Sequence, residues 1–447
     1  PKVSIAFNDG PYVASPTWTD ITSYVYSADV SRGRSDDYSQ FIGTAQVVLN
    51  NNSRLFDPFY TSGTYYGKLL PRRQIKIEGI SGVTTYPVFR GFVDGFPAAW
   101  DQAGKFATTT LSCFDGLSLL SAELLPDYVY DYTISLAPTH YYRMDDVIGS
   151  TVKDYGSSPL PLTATSSTAL FQQNGSIVPA LSSSSLNFSG NEYTSGAQTY
   201  DYTNNNTKDM TFAMWVAPNS ATTLANFETF AFGTDSNSNM WIDYRSTGAA
   251  RGQCQQSGTT ARADTSSTSI VGSAPYHLAF TYDKTTRAVA MYVNGQLNST
   301  GAVAGVGNFY NNSIARVVFK FYQYQEVSMY LTKLTAAQIL DLYNYGAANI
   351  QEDTDTRMAR LLGYTSWPAS LQSLSTDTVA IVGALSPPNS NLVAEMQTVN
   401  NSEDGDLFVT RAGVIKFTDR NYVYTNTSSN TSQATFASGS IPFQPSV

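Results

Sequence analysis

Alternation of apolar and polar positions dominates the first 130 residues of the chain. Gly43–Asn50 alternates in this way, and Gln74–Glu78 and Tyr86–Asp94 repeat the pattern. A period of two places successive side chains on opposite faces, which is typical of half-buried β-strands. Turn-forming residues, such as the Asn-Asp-Gly run at 8–10, separate the strands. The pattern therefore predicts one compact β-domain over residues 1–130.

The middle of the chain is also strand-rich, after a loose stretch of residues 133–196 that is rich in Ser and Thr. Met210–Pro218 and Tyr276–Asp283 are apolar runs of strand length. Ala288–Val293 is a third run, and the Asn-Gly pair that follows it is a strong signal for a hairpin turn. We assign this second β-rich domain to residues 131–350.

A helix is predicted to close this middle segment. Thr335 is a suitable N-cap, and Gln338 stands at the position that completes a capping box. Leu334 and Ile339 are spaced for a hydrophobic staple across the same turn. Gly346 is predicted to end the helix in the left-handed conformation.

Residues 351–447 are predicted to combine helices with a hairpin. Thr354–Leu362 has helical periodicity and ends before Gly363, and Asn389–Val399 is a second short helix after two prolines. Asp406–Phe417 alternates around a short turn, which predicts two paired strands. This segment is therefore assigned to an α+β domain.

Composition narrows the class of protein. At 447 residues, one domain per ~150 residues gives about three domains. Charged residues make up 14%, below a typical ~25%, and the 30 tyrosines favour both pleated strands and recognition surfaces. A net charge of −9 argues against nucleic-acid binding, which uses a basic stripe. No run of ~18 apolar residues occurs, so no membrane span is predicted.

The two cysteines and the start of the chain bear on its compartment. Cys113 and Cys254 fall in different predicted domains, so we expect buried thiols rather than a disulfide framework. The chain opens at Pro1 without a recognisable secretory signal, and we expect that an initiator methionine was removed. A soluble product that is released by lysis rather than by secretion fits this start of the chain.

Six short motifs occur in order within the first 130 residues. They are Trp18–Val25, Ser31–Ser35, Gly43–Ala45 with Leu49–Asn51, Arg54–Pro58, Tyr65–Gly67 and Phe89–Asp94. The series resembles the N-terminal domain of siphophage minor tail proteins, the baseplate hub or distal-tail group of phages that infect actinobacteria. The resemblance implies a β-sandwich or barrel that joins a ring around the tail axis and has a structural role.

Residues after 351 are similar to the second domain of the same hub family, which usually continues further. We therefore expect that domain to be incomplete here, through a crop, a cleavage or a partner chain that completes it. The arginines of the N-terminal motifs either pair with nearby aspartates within the subunit or contact neighbouring subunits; they are Arg32, Arg34, Arg54 and Arg90.

The middle segment carries a second resemblance. Its strongest features are the strand containing Trp215, the strand His277–Asp283, the hairpin Tyr292–Gly295 and the closing helix that begins with Leu334–Ile339. Together they resemble the concanavalin A-like, laminin-G-like jelly roll over nearly the whole of residues 131–350. This resemblance implies a two-sheet sandwich, a fold that hosts glycan binding, protein binding, hydrolysis and plain spacing.

Catalytic chemistry finds little support. The two histidines are His140, in a loop that resembles a linker, and His277, among apolar strand neighbours. A retaining glycosidase needs two carboxylates about 5–5.5 Å apart, hence an i, i+2 or i, i+4 spacing on one strand face. Glu192, Glu228 and Glu326 have no such partner. No hydrolase is therefore predicted.

Metal-ligand patterns are equally weak. Asp235–Asn239 alternates oxygen-bearing side chains as at the start of a Ca²⁺ loop, but Met240 stands where that loop needs Gly. A polar turn explains the segment, and no metal or cofactor is predicted.

Saccharide binding calls for an aromatic ring that packs on the apolar face of a sugar, beside polar groups that take its hydroxyls. Trp241, Asp243 and Arg245 alternate along one predicted strand and would share a face. Tyr322 and Tyr324 would do the same on another strand. These five residues are the candidate carbohydrate site, and packing in the core or between subunits is the alternative for the aromatic ones.

The sequence thus predicts a mainly β protein with a tail-hub β-domain at 1–130, an inserted two-sheet jelly-roll sandwich at 131–350 and a C-terminal α+β hub domain at 351–447. The resemblances imply a structural virion protein of the tail tip, not an enzyme, in a homo-oligomeric ring with distal-tail, hub and tape-measure neighbours. Three copies are expected by analogy with hubs, and six are the alternative. The jelly roll would bind host cell-wall saccharide. A purely structural role, a glycan hydrolase and a secreted adhesin are the remaining alternatives.

Overall fold

A computed structural model was used for the whole chain. It describes residues 1–33, 42–100, 106–146, 151–164, 172–174, 176–181, 185–187, 193–194, 209–218, 227–235, 238–244, 249–256, 259–264, 274–302, 316–319, 322–376, 378–384 and 388–432.

The described part of residues 1–125 forms one antiparallel sheet and a short helix. The elements are β1 (Lys2–Ala6), β2 (Thr19–Asp20), β3 (Val25–Ser31), β4 (Thr44–Asn50), β5 (Gln74–Ser81), β6 (Thr84–Val93), β7 (Ala98–Trp100), β8 (Ala107–Phe114) and α1 (Gly116–Leu120). The strand order is β2-β1-β5-β6-β8-β4-β3, and β7 pairs with β8.

Alternation along these strands is as predicted. Val47 and Leu49 of β4 and Ile75 and Ile77 of β5 are fully or almost fully buried in one core, whereas the residues between them are half-buried. Cys113 of β8 lies in the same core, so the buried thiol predicted at this position is confirmed.

The middle segment contains most of the strands. Its elements are α2 (Tyr128–Ser135), β9 (His140–Tyr142), β10 (Thr151–Val152), β11 (Leu162–Ala164), β12 (Gln172–Asn174), β13 (Ser185–Asn187), β14 (Tyr193–Thr194), β15 (Met210–Pro218), β16 (Phe227–Asp235), β17 (Ser238–Tyr244), β18 (Ala250–Gln256), β19 (Thr259–Asp264), β20 (Tyr276–Tyr282), β21 (Ala288–Val293), β22 (Gln296–Ala302), β23 (Arg316–Phe319), β24 (Tyr322–Tyr330) and α3 (Ala336–Gly346).

Two antiparallel sheets of this segment face each other as a jelly-roll-like sandwich. The β17 sheet has the order β10-β11-β14-β23-β16-β17-β18-β19, and the β15 sheet has the order β12-β13-β24-β15-β20-β21-β22, with β9 on β24. Their shared core joins Phe212 and Phe280 of the β15 sheet to Ile242 and Ala263 of the β17 sheet. The sheets approach closely at Gly252, where a Cβ atom would lie 2.1 Å from Cδ2 of Phe280.

The opposite face of the β15 sheet is covered by helices. Ala213 and Ala279 pack against Ile339 and Leu342 of α3. The predicted capping box of α3 is present, because the Thr335 hydroxyl accepts from the backbone N–H of Gln338 and the Gln338 side chain accepts from the Thr335 N–H.

The end of α3 differs from the prediction. Ala348, two residues beyond the helix, has the positive φ of 53°, and the helix cap at Ala347 is right-handed. Gly346 serves close packing instead, because a Cβ atom there would lie 2.5 Å from Nε1 of Trp215.

Helix α2 lies beside α3 at the start of the same segment. The rings of Tyr132 and Tyr345 stack with centroids 4.7 Å apart, and the Tyr132 hydroxyl donates to Oδ2 of Asp341 at 3.1 Å. The first and last helices of the middle segment are therefore tied directly to each other.

The C-terminal segment mixes helices and short strands. Its elements are β25 (Asn349–Asp353), α4 (Thr354–Gly363), β26 (Gln372–Leu374), β27 (Ile381–Ala384), α5 (Leu392–Glu403), β28 (Asp406–Val409), β29 (Ile415–Thr418), α6 (Tyr422–Thr425) and α7 (Thr427–Asn430). β25 pairs with β27, and a small sheet has the order β26-β29-β28. The two helices and the hairpin predicted here are all present.

The outer segments share a hydrophobic core. Met358 of α4, Met396 of α5 and Phe417 of β29 pack with Phe92 and Leu117 of the first segment. The chain accordingly divides into two compact units. Unit 1 comprises Pro1–Leu125, Gln351–Gly383 and Asn389–Val447, and unit 2 comprises Pro126–Ile350 and Ala384–Pro388.

The fold class predicted from the sequence, mainly β with a jelly-roll sandwich, is confirmed. Within the described part of the chain, none of the helices has the length and apolar character needed to cross a membrane.

Candidate functional site

The predicted carbohydrate residues of the first group lie in and beside β17. Trp241 and Asp243 flank Ile242, whose side chain is fully buried in the core between the two sheets. Because side chains alternate along a strand, Trp241 and Asp243 are still predicted to share the opposite, outer face of the β17 sheet. Arg245 lies outside the described residues, as do the side chains of Trp241 and Asp243.

β17 occupies an interior position in its sheet, so the candidate residues have neighbours on both sides. The register sets Trp241 opposite Ala231 of β16 and Gln253 of β18. Gln253 is only 6% exposed and has a polar or ring partner. The register therefore gives Trp241 a buried polar neighbour, whose amide is not accessible to a sugar.

An acidic pair in the same sheet was missed by the sequence reasoning. The register sets Glu228 of β16 directly opposite Asp243 of β17. Residues directly opposite each other on antiparallel strands have Cβ atoms about 4.5–5.5 Å apart. Spacings along a single strand cannot reveal this pair, because its two residues lie on different strands.

The second predicted group lies in the other sheet. Tyr322 is the first residue of β24 and pairs with Pro218, and its side chain lies outside the described residues. Tyr324 pairs with Val216 and is 0% exposed within the core. Tyr324 is therefore a core residue that no saccharide can reach, and the prediction for Tyr324 is wrong. Alternation along β24 does not show which face points inward, because that depends on the partner sheet.

The two sheets of unit 2 differ in whether described helices pack against them. Both described helices of unit 2, α2 and α3, pack on the β15 sheet, through residues such as Trp215, which is 4% exposed. The candidate surface of unit 2 is therefore the outer face of the β17 sheet, around Trp241 and Asp243.

A buried polar cluster stands at the junction of β9 and β24. The Tyr141 hydroxyl donates to Oε2 of Glu326, and Nε of Arg143 lies 3.4 Å from the other carboxylate oxygen. Nη2 of Arg143 also donates to Oδ2 of Asp127, the N-cap residue of α2, at 2.6 Å. The cluster thus ties the start of α2 to the β15 sheet.

Glu326 has an unusual backbone conformation and an unusual pKa. It has a positive φ of 52°, and it lies where the register between β15 and β24 shifts. Burial raises the pKa of Glu326 to about 7, and the charge of Arg143 acts in the opposite direction. Strained, buried and charged residues of this kind occur at functional sites and at structural junctions alike.

The two histidines are both buried. His140 lies in β9, with Nδ1 2.7 Å from Oδ2 of Asp154, so its prediction as part of a linker-like loop is wrong. His277 is 2% exposed beside Trp215 and Tyr343, and burial lowers its pKa to about 3. In the described residues, no group of three or more His, Cys, Asp or Glu side chains could hold a metal ion.

Several large apolar side chains of unit 1 are exposed. Val83 at the β5–β6 turn is completely exposed, Phe59 is 86% exposed and Trp100 is half-exposed. Side chains exposed in this way are available for contacts with other proteins.

A family comparison agrees with the architecture of unit 2. Residues 189–339 match the family model of the concanavalin A-like lectin/glucanases superfamily. Unit 2 therefore contains a concanavalin A-like domain. A search of curated proteins found no match.

Solved structures that resemble the chain are distant. The binding domain of Paraclostridial Mosquitocidal Protein 1 has 13% identity and a TM-score of 0.38, over 53% of this chain and 59% of that one. The binding domain of botulinum neurotoxin serotype D has 11% identity and a TM-score of 0.39, over 50% and 55%. Domain 4 of AbnA, an extracellular arabinanase from Geobacillus stearothermophilus, solved with arabinotriose, has 19% identity and a TM-score of 0.33, over 46% and 98%. The matches span little more than half of each toxin binding domain.

Proposed function

We propose that the protein is a structural component of a siphophage tail tip, in which unit 1 joins the tail and unit 2 binds saccharide of the host cell wall. The observation that carries the proposal is the concanavalin A-like sandwich of unit 2, whose β15 sheet is covered by helices and whose β17 sheet holds Trp241 and Asp243. The protein would accordingly be found in the virion.

Two observations support the anchoring role of unit 1. The six ordered motifs of residues 1–130 resemble those of siphophage hub proteins. Large apolar side chains, including Phe59 and Trp100, are exposed on unit 1. Distal-tail, hub and tape-measure proteins are the expected neighbours, and copies of the chain would form a ring.

The saccharide-binding role rests on the chemistry of the β17 sheet. An indole ring can cover the apolar face of a pyranose, while the Asp243 carboxylate can take its hydroxyls. A single site of this kind is weak. A ring of several copies that engage one surface gains avidity without any new contact.

The test uses the full chain, labelled with a fluorophore, on actinobacterial cells and on cell-wall polysaccharide purified from them. Trp241→Ala is expected to reduce saturable binding at least tenfold. Trp100→Ala is the matched control, because it removes an exposed indole from unit 1 and should leave cell binding unchanged. Equal binding by Trp241→Ala and the unmodified chain would refute the site.

A negative binding result would indicate a purely structural role for unit 2. If neither cells nor polysaccharide bind, even when the chain is displayed multivalently, unit 2 is a structural spacer that contacts other tail proteins.

The pairing of Glu228 with Asp243 favours glycan hydrolysis as the second candidate function. Release of reducing sugar from the polysaccharide, lost in both Glu228→Gln and Asp243→Asn, would establish it. We expect no such release.

A further inference from the structure

The hairpin of β5 and β6 extends beyond the rest of its sheet. β1 pairs with β5 only as far as Glu78, and β8 pairs with β6 only at Phe92 and Val93. Residues 79–86, which we call the arm, pair with each other and with no other described strand. Four residues beyond Glu78, at about 3.3 Å each, carry the tip of the arm roughly 13 Å past the end of β1.

The arm is apolar, uncharged and exposed. Val83 at the tip is completely exposed, Ile80 is 60% exposed and Tyr86 is 54% exposed. No residue from 79 to 89 is charged. Ile80 and Tyr86 belong to adjacent residue pairs of the hairpin, so their side chains point to opposite faces. An arm with apolar side chains on both faces and at its tip is suited to insertion between the side chains of another surface.

The chemistry of the arm favours a protein partner that contacts its side chains. Pro87 at the base has no backbone N–H, and a proline in this position blunts an edge against the addition of a strand. Thr84 and Thr85 are exposed, and both strand edges of the arm carry backbone carbonyl groups. These polar groups would lose their hydrogen bonds to water inside a lipid bilayer. A protein surface that combines apolar side chains with hydrogen-bond donors is therefore favoured over a membrane.

A surface with that combination lies in the same unit, on the loop of residues 51–73 between β4 and β5. Phe59 is 86% exposed, and Tyr66 and Leu70 are half-exposed. Lys68 and Arg72 are also exposed, and no carboxylate of a described residue forms an ion pair with them. Their side chains can donate to the carbonyl groups along the arm.

The loop is preformed although it contains neither helix nor strand. Five successive turns close it, each by a backbone N–H that donates to the carbonyl three residues earlier; the donors are Arg54, Asp57, Tyr60, Gly63 and Tyr66. Tyr65 stacks on Phe7 with ring centroids 4.0 Å apart, and Phe56 is fully buried. Loops longer than about 12–15 residues without helix or strand are usually functional when they are ordered.

The arm and the loop lie at opposite ends of β5. The loop ends where β5 begins at Gln74, and the arm follows Glu78 at the other end of this 8-residue strand. The length of β5 therefore separates them by about 23 Å. They cannot cover each other within one chain, whereas the arm of one copy can reach the loop of the next. A contact between two different surfaces is head-to-tail, and it closes into a ring where the rotation between copies allows.

We infer that the arm of one copy docks on the loop 51–73 of a second copy, with Val83 of the arm against Phe59 of the loop. The inference rests on the proposed anchoring role of unit 1 and assigns the contact between its copies. Three exposed apolar side chains on each surface offer roughly 400 Å², about half of the ~800 Å² that each partner contributes to a standard interface. The polar residues between them supply the rest.

The test measures sedimentation of the full chain as Val83→Asp, as Phe59→Asp and as an equal mixture of the two. Both side chains are exposed, so each variant should fold, and each alone should lose self-association at least tenfold. The mixture should recover dimers and nothing larger. In such a dimer the intact arm of Phe59→Asp meets the intact loop of Val83→Asp, and the remaining arm and loop are both defective. Val423→Asp, which changes another exposed valine of unit 1, is the control and should self-associate like the unmodified chain.

Every other result overturns the inference. An unmodified chain that stays monomeric at all concentrations would mean that the copies do not dock. Full self-association of either single variant would place the contact elsewhere, and a monomeric mixture would exclude a head-to-tail contact between these two surfaces. Binding of the unmodified chain to phosphatidylcholine vesicles, lost in Val83→Asp, would assign the arm to lipid. Binding to the purified polysaccharide is measured separately on the unmodified chain and on Val83→Asp, so failure of this contact is distinguishable from failure of the saccharide proposal.

Discussion

Replacement of Arg143 by Met is predicted to destabilise unit 2 in a strongly pH-dependent way. Arg143 is the cation that faces the buried carboxylate of Glu326, whose side chain is 4% exposed. Without Arg143, Glu326 must either stay charged without a cation or take up a proton. Loss of one partner of a buried ion pair costs about 3–5 kcal/mol when the other stays charged.

Protonation of Glu326 limits this cost. Burial raises the pKa of Glu326 to about 7 in the folded protein, against 4.5 for an ordinary Glu. The bound proton therefore stabilises the fold fully below pH 4.5. This stabilisation is lost as the pH rises through about 7. In the variant the pKa is higher still, so the loss continues above that pH. The part of the cost that depends on Glu326 is at most about 1.4 kcal/mol for each pH unit above about 7, hence about 3 kcal/mol at pH 9. At pH 5 the remaining cost comes from the lost ion pair with Asp127.

The measurement is urea unfolding of the full chain at about pH 5, 7 and 9, with hydrogen exchange of the β24 amides to report on unit 2. The double variant Arg143→Met with Glu326→Gln is the control, because it has no carboxylate to titrate. Its stability relative to the Glu326→Gln single variant should not change with pH. A cost of Arg143→Met that is equal at pH 5 and pH 9 would refute the reasoning.

Three further predictions concern the contact between the two sheets, the cap of α3 and the buried thiol of Cys113. Gly252→Ala should destabilise unit 2 by about 1–3 kcal/mol, because the new methyl group overlaps the Phe280 ring; an unchanged urea midpoint would show that the sheets can separate. Thr335→Ala should cost about 1 kcal/mol by removal of the helix cap, while Thr335→Ser should restore most of it in the same unfolding assay. Cys113 should not react with a thiol reagent in the folded chain, since burial raises its pKa to about 12; reaction at the rate of a free thiol would place it at the surface.

Features fixed by local sequence were predictable. The cap of α3 depends on Thr335 and Gln338, three residues apart, and the β28–β29 hairpin depends on a short turn between alternating runs. Both are present as predicted. Gly346 shows the limit of the method, because its need for a small side chain comes from Trp215, which lies far away in the sequence.

The candidate site was less predictable because it depends on long-range register. Alternation predicted that Tyr322 and Tyr324 share a face, but only the partner sheet determines that Tyr324 faces the core. The pairing of Glu228 with Asp243 likewise exists only after β16 and β17 align. Similarly, nothing in the local sequence around His140 reveals its partner Asp154.

The stacked Tyr132 and Tyr345 close unit 2 where the chain comes in and where it leaves. A module whose two ends lie side by side can be inserted into a loop of another domain without stretching it, and it can be replaced by another of the same kind. Exchange of residues 126–350 for another module with adjacent ends would therefore leave the path of the remaining chain unchanged.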